Sequence, residues 1–131
     1  MINRSKRTLQ HQLNTWIVAR FIDEIYNRNN LSNLPEFVAH DCQYCGDPTV
    51  IGEDLYELQM HFAYTWINQQ AVFEEVQYEV EEVISQHDIV SVKVRRKGKA
   101  KSTIRTVRDL SRWEMFQLHE GKIARRWIAN A

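Results

Sequence analysis

An acid set among aromatic residues is the feature of this chain most able to do chemistry. The stretch from Trp113 to Trp127, WEMFQLHEGKIARRW, alternates apolar and polar residues on both sides of a polar break, the pattern of two strands joined as a hairpin. His119, Glu120 and Gly121 supply polar side chains and a free φ where the two runs must reverse. Strand alternation puts Glu114 on the side of Phe116 and Leu118, with Trp113, Met115 and Gln117 on the other. If the Phe116 side faces inward, Glu114 is an inward acid. A buried, unpaired carboxylate is costly, so Glu114 marks either a ligand pocket or an ion pair with Arg112, Arg125 or Arg126 across the hairpin.

A second cluster, His40, Cys42 and Cys45, has the look of a metal or redox motif. A structural zinc site needs four ligands, and three close candidates with no second pair fall short. A redox C-x-x-C opens a helix after a strand, whereas this one falls in a strand or loop. The expectation is two ordinary reduced cysteines, no metal and no cofactor.

The elements that must position Glu114 follow from periodicity. Residues 12 to 28 read as a helix, with Leu13, Ile17, Phe21 and Ile25 at four-residue spacing and Val18 and Ile22 widening the stripe. Asn33 with Glu36 three residues on forms a capping-box pattern, with Pro35 in the first turn of a short second helix running to about Ala39. Residues 40 to 50 read as a short strand running into a loop at Gly46 and Asp47-Pro48. A third helix spans Glu53 to about Asn68, apolar nearly all round and so expected to be covered on two sides. From Val72 the period changes to two, giving strands around Val76 to Val80, Val90 to Val94, 102 to 118 and 122 to 129. Helices first and sheet afterwards is segregated α+β architecture.

Composition bounds the rest. The 131 residues fit a single domain with a real core, residues 1 to 11 forming a flexible or extra segment ahead of the first helix. Seventeen basic and seventeen acidic residues cancel, but residues 53 to 88 hold nine acids and no Lys or Arg, while residues 89 to 131 hold twelve bases and three acids. Cross-strand pairing of Glu79, Glu81 and Glu82 with Lys93, Arg95 and Arg96 accounts for this asymmetry and speaks against a nucleic-acid surface. There is no long apolar run and no apolar segment behind the basic start MINRSKR, so no membrane span or secretory signal is expected and the cytoplasm is the default.

The succession ARFIDEIYNRNNLSNLPEFVAHDCQY, GEDLYELQMHF, VSVKV and WEMFQLHEGKIARRW resembles the SnoaL-like polyketide cyclases and ketosteroid isomerases of the nuclear-transport-factor-like superfamily, over nearly all of residues 12 to 129. The resemblance implies three helices packed in a strongly curved antiparallel sheet, a cone-shaped, cystatin-like α+β barrel around an apolar pocket, commonly a homodimer through the outer sheet face. By the ketosteroid isomerase pattern Asp47 falls at the place of the proton-shuttling base, and Glu114 approximately at that of a protonated hydrogen-bond donor. Phe21, after Arg20, stands where that family has a tyrosine, so one oxyanion donor is absent. The SnoaL pattern of an acid shortly after the last-strand tryptophan is unmatched in Ile128, Ala129, Asn130 and Ala131.

Two carboxylates in one apolar pocket cannot both ionise cheaply, so Asp47 and Glu114 together would supply an acid beside a base, as proton transfer next to a carbonyl requires. The bland alternative for Asp47 is a loop aspartate capping its own turn. The cavity-lining candidates are Phe21, Tyr44, His61, Tyr64, Phe116 and Trp127. Four of these have an ordinary alternative, the helix surface for His61 and core packing for Tyr44, Tyr64 and Trp127. The expected ligand is a small apolar carbonyl compound, turned over without a cofactor or only bound.

Overall fold

A computed structural model describes residues 4–44, 55–101 and 110–129. Helix α1 (Arg4–Phe21) continues without a break into a π-helical turn over Ile22–Asn27. The helix therefore begins well before residue 12, and residues 4 to 11 are part of it rather than a separate segment. Nothing in RSKRTLQH breaks a helix. Burial sets in only with Asn14, Ile17 and Val18, while Leu13 is half-exposed.

A 3₁₀ turn (Leu31–Asn33) runs straight into α2 (Leu34–Phe37). The capping box does not form. Asn33 has φ −89° and ψ −1°, helical rather than extended, and makes no side-chain capping bond, because the preceding turn already supplies the helix start. Strand β1 (Val38–Tyr44) and helix α3 (Leu55–Val72) follow. Then come β2 (Phe73–Gln86), β3 (Ile89–Ala100), β4 (Leu110–His119) and β5 (Lys122–Ala129).

The sheet order is β1-β5-β4-β3-β2. β2 through β5 are antiparallel neighbours, whereas β1 joins β5 in parallel, so the α+β sheet is mixed rather than wholly antiparallel, and open rather than closed. The β4–β5 hairpin turns on Glu120 and Gly121, with φ of 50° and 78°. A two-residue turn matching the twist of its strands needs positive φ at both positions, which the glycine adopts freely.

The inner sheet face packs Val90, Val92, Val94, Phe116, Leu118 and Ile123 against α1, the π-turn, α2 and α3. Phe21 sits at the centre, its ring edge-on to Phe37, Phe62, Phe116 and Tyr26 at centroid separations of 6.4, 5.9, 5.6 and 5.4 Å. On the outer face, Glu81 meets Lys93 and Arg95, Glu79 meets Lys97, and Glu74 meets Lys99, so β2 and β3 compensate each other's charge, but Arg96, expected among these pairs, lies on the inner face instead. α3 is covered on one side only among the described residues: Leu58 and Phe62 are buried, while Tyr56, Tyr64 and Ile67 face outward. No helix of the described residues is long and apolar enough to cross a membrane.

Candidate functional site

The core fills one end of the sheet's inner face and leaves a cavity at the other. Near Phe116 and Leu118 the space is taken by the phenylalanine cluster. Toward the Leu110 end of β4 the inward row becomes polar, and a cavity of about 200 Å³ opens between α3 and the sheet. Ile25, Phe62, Trp66 and Ile128 give it apolar walls, and Arg96, Arg112 and Arg126 bring three guanidiniums to it. From α3, His61, Phe62, Thr65, Trp66 and Gln69 reach it at helical spacing.

Beside the cavity lies a buried polar network built from three elements. The π-turn contributes Tyr26, β4 contributes Arg112 and Glu114, and β5 contributes Arg126. Glu114 is 0% exposed and Arg126 2%. The Tyr26 hydroxyl donates to Glu114 Oε1 at 2.5 Å. Arg126 donates through Nη2 to the same oxygen at 2.7 Å and through Nε at 3.0 Å. Its Nε also lies 2.8 Å from the Tyr26 oxygen. Arg112 Nε donates to Glu114 Oε2 at 3.2 Å, so both carboxylate oxygens are engaged.

Burial pushes the Glu114 carboxyl up, but the charges of Arg126 and Arg112 and the hydrogen bond from Tyr26 outweigh it and hold the group below the ordinary carboxylate range. Glu114 is therefore a fixed carboxylate. The role of a protonated acid or hydrogen-bond donor does not fit it, because an ionised carboxylate only accepts. The ion-pair alternative describes it, with Arg126 and Arg112 as partners. Tyr26 is the proton-bearing member: burial pushes its hydroxyl well above the ordinary phenol value, and the neighbouring Glu114 adds to this against the opposing pull of Arg126.

The other candidates scatter. His61 lines the cavity and stacks edge-on to Phe62 at 5.4 Å. Phe21 and Phe116 are fully buried core rather than cavity wall, since the phenylalanine cluster fills their end of the sheet. Tyr64 is 60% exposed on the outward side of α3, one residue away from the face that carries Phe62 and Thr65. Trp127 lies between the inward Arg126 and Ile128, so alternation turns it to the outer sheet face, where it pairs with Met115 and stacks under Arg125. Tyr44 ends β1 opposite Arg126, its side chain outside those described. Asp47 and Cys45 lie outside the described residues, and Cys42 is buried.

Tyr26, Trp66, Gln69, Tyr78 and Arg96 are site residues that motif reading misses. The signal for Tyr26 is present, because Val18, Ile22 and Tyr26 continue one row of the first helix at four-residue spacing. Tyr78 is held at both backbone groups by the Asn27 side-chain amide, which donates to its carbonyl at 3.0 Å and accepts from its N–H at 2.7 Å. Gln69 donates to its hydroxyl. The π-turn, β2 and α3 are thus tied together at the cavity.

The sequence profile of the SnoaL-like polyketide cyclases matches residues 17–130. No curated protein matches the chain in sequence. Among solved structures, the chain is similar to a proposed polyketide cyclase from Sinorhizobium meliloti, with 18% identity, a TM-score of 0.66, and 86% of this chain and 93% of the other covered. It is similar also to IdmH, a proposed polyketide cyclase from Streptomyces antibioticus, with 17% identity, a TM-score of 0.69, and coverage of 88% and 90%. A proposed SnoaL-like polyketide cyclase from Jannaschia shares 16% identity, a TM-score of 0.69, and coverage of 91% and 85%. At these identities the structures establish the fold, and the profile, which runs from α1 past β5, establishes the lineage. The chain belongs to the SnoaL-like polyketide cyclase family.

Proposed function

We propose that this protein is a cofactor-independent cyclase, isomerase or dehydratase that moves a proton on a small apolar carbonyl compound held between α3 and the sheet. The observation that carries this reading is the meeting, in one small cavity, of apolar walls with guanidinium donors held in place by a buried carboxylate. Removing a proton next to a carbonyl builds negative charge on its oxygen. Donors fixed in advance stabilise that charge without having to reorganise as it forms. Glu114 serves by holding Tyr26, Arg112 and Arg126. In this proposal Asp47 takes the substrate proton, on the strength of its sequence position, and His61 supplies an imidazole at the cavity wall for its return.

Deuterium exchange at the α-carbon of a monocyclic ketone, followed by NMR, tests the reading. The wild type should exchange well above buffer. Asp47→Asn should slow exchange by about 10²–10⁴-fold with the melting temperature nearly unchanged. If the loss follows His61→Gln instead, the base is the imidazole, and a large fall in melting temperature would assign Asp47 to structure.

A second reading, a non-catalytic ligand-binding or dimeric assembly module on the same scaffold, is favoured by the commitment of Glu114 to two arginines. Saturable ketone binding that raises the melting temperature without any exchange would decide for it. For both readings the homodimer contact is proposed on the outer sheet face at Met115 and Trp127, paired across β4 and β5 with half-buried Trp113 nearby. Sedimentation at micromolar concentration should return twice the chain mass, and a monomer removes this contact.

A further inference from the structure

We infer that the cavity takes an anion, a small monocyclic carboxylic acid whose ring lies against Phe62 and Trp66 and whose carboxylate is held at the mouth by Arg96 and Arg112. The inference rests on the cavity reading above and names the class of molecule it admits.

The charge balance points there first. Three guanidiniums line the cavity, and two of them share the carboxylate of Glu114. Arg96 differs from its neighbours on β3. Lys93, Arg95, Lys97 and Lys99 each meet a glutamate of β2 on the outer face. Arg96 shares the inward row of Val90, Val92 and Val94. Among the described residues it makes no ion pair, its guanidinium standing 5.2 Å from the centre of the Phe73 ring.

Arg112 is the second half of the site. It meets Glu114 through Nε, which among the described residues leaves the two terminal nitrogens of its fork for another partner. Its side chain is 44% exposed, at the rim rather than in the core. Arg112 stands opposite Val94, and Arg96 opposite Leu110. The two arginines are therefore diagonal neighbours on one face, with backbones roughly 7–8 Å apart. Like charges so placed repel, and a carboxylate between them removes the repulsion while accepting charge-assisted hydrogen bonds from both. A neutral ligand would leave the Arg96 charge without an anionic partner, and a cation would add to the repulsion.

Size sets the rest. A cavity of about 200 Å³ has room for one ring. The Tyr78 hydroxyl, which accepts from Gln69, keeps its own proton for a ligand oxygen.

Calorimetric titration with cyclohexanecarboxylate, cyclohexanecarboxamide and cyclohexylmethylamine, three molecules of nearly one shape, tests the inference on the wild-type protein. The acid should bind at least about tenfold more tightly than the amide, and the amine more weakly than either. Arg96→Gln and Arg112→Gln should each weaken the acid by about tenfold and the amide distinctly less, and the amide binding that remains shows that the variants keep the cavity. An amide as tight as the acid, or acid binding untouched by both substitutions, overturns the anion site and leaves the cavity reading standing. Binding of none of the three removes both.

Discussion

Replacing Arg126 by methionine is expected to destabilise the protein by about 3–5 kcal/mol, because it leaves the Glu114 carboxylate buried beside a tyrosine and one rim arginine. Against the total stability of about 5–15 kcal/mol common for single domains, that loss approaches unfolding. The pair itself is a different quantity. Glu114→Leu with Arg126→Met together removes two desolvated charges and should recover most of the loss. The pH dependence carries the sign. In the wild type the folded carboxyl lies below its unfolded value, so its stabilising contribution is complete above a pH of about 4.3 and is lost as the pH falls below that. In Arg126→Met the largest charge opposing burial is gone, and Arg112 with the Tyr26 hydrogen bond opposes it alone, so the folded value rises relative to the wild type. The loss of stability as the pH falls below about 4.3 should then be shallower in the variant than in the wild type. Denaturant midpoints between acid and neutral pH read both slopes. Parallel slopes in wild type and variant would mean that Glu114 is not held as an anion by Arg126.

That network was half legible in the sequence. Alternation put Glu114 on the side of Phe116, and the choice among Arg112, Arg125 and Arg126 remained open because it depends on register. The structure settles it through an irregularity between Gln117 and Leu118, after which Phe116 pairs with Arg126. The same register turns Trp127 outward, against the expectation that it lines the cavity. The change of period after Val72 showed the sheet plainly, since half-buried strands write their alternation into the residues. The parallel docking of β1 on β5 left no such mark, because no local pattern distinguishes a parallel from an antiparallel neighbour for one short strand. The extra helical turns from Arg4 were hidden for a related reason: Leu9 is the one apolar residue from 4 to 11 and is exposed, so no apolar stripe faces a core to reveal them.

Whether an aromatic ring fills a core or borders a void is the part that periodicity cannot carry, and Phe21 decides it. As cavity lining, as its sequence position implied, its loss would enlarge the pocket, alter ligand binding and cost little stability. As observed, its ring is fully buried and in edge contact with Phe37, Phe62, Phe116 and Tyr26. Phe21→Ala should then cost about 3–5 kcal/mol, the sum of lost transfer energy and the void left among rings that cannot all collapse into it. Because Phe62 also walls the ligand cavity and Tyr26 also anchors Glu114, the new void would loosen the site from behind. Benzene, too apolar for the arginine end, should bind the variant and raise its melting temperature while leaving the wild type unchanged. A variant within about 1 kcal/mol of wild type would place Phe21 on the ligand instead and move the cavity toward the phenylalanine cluster.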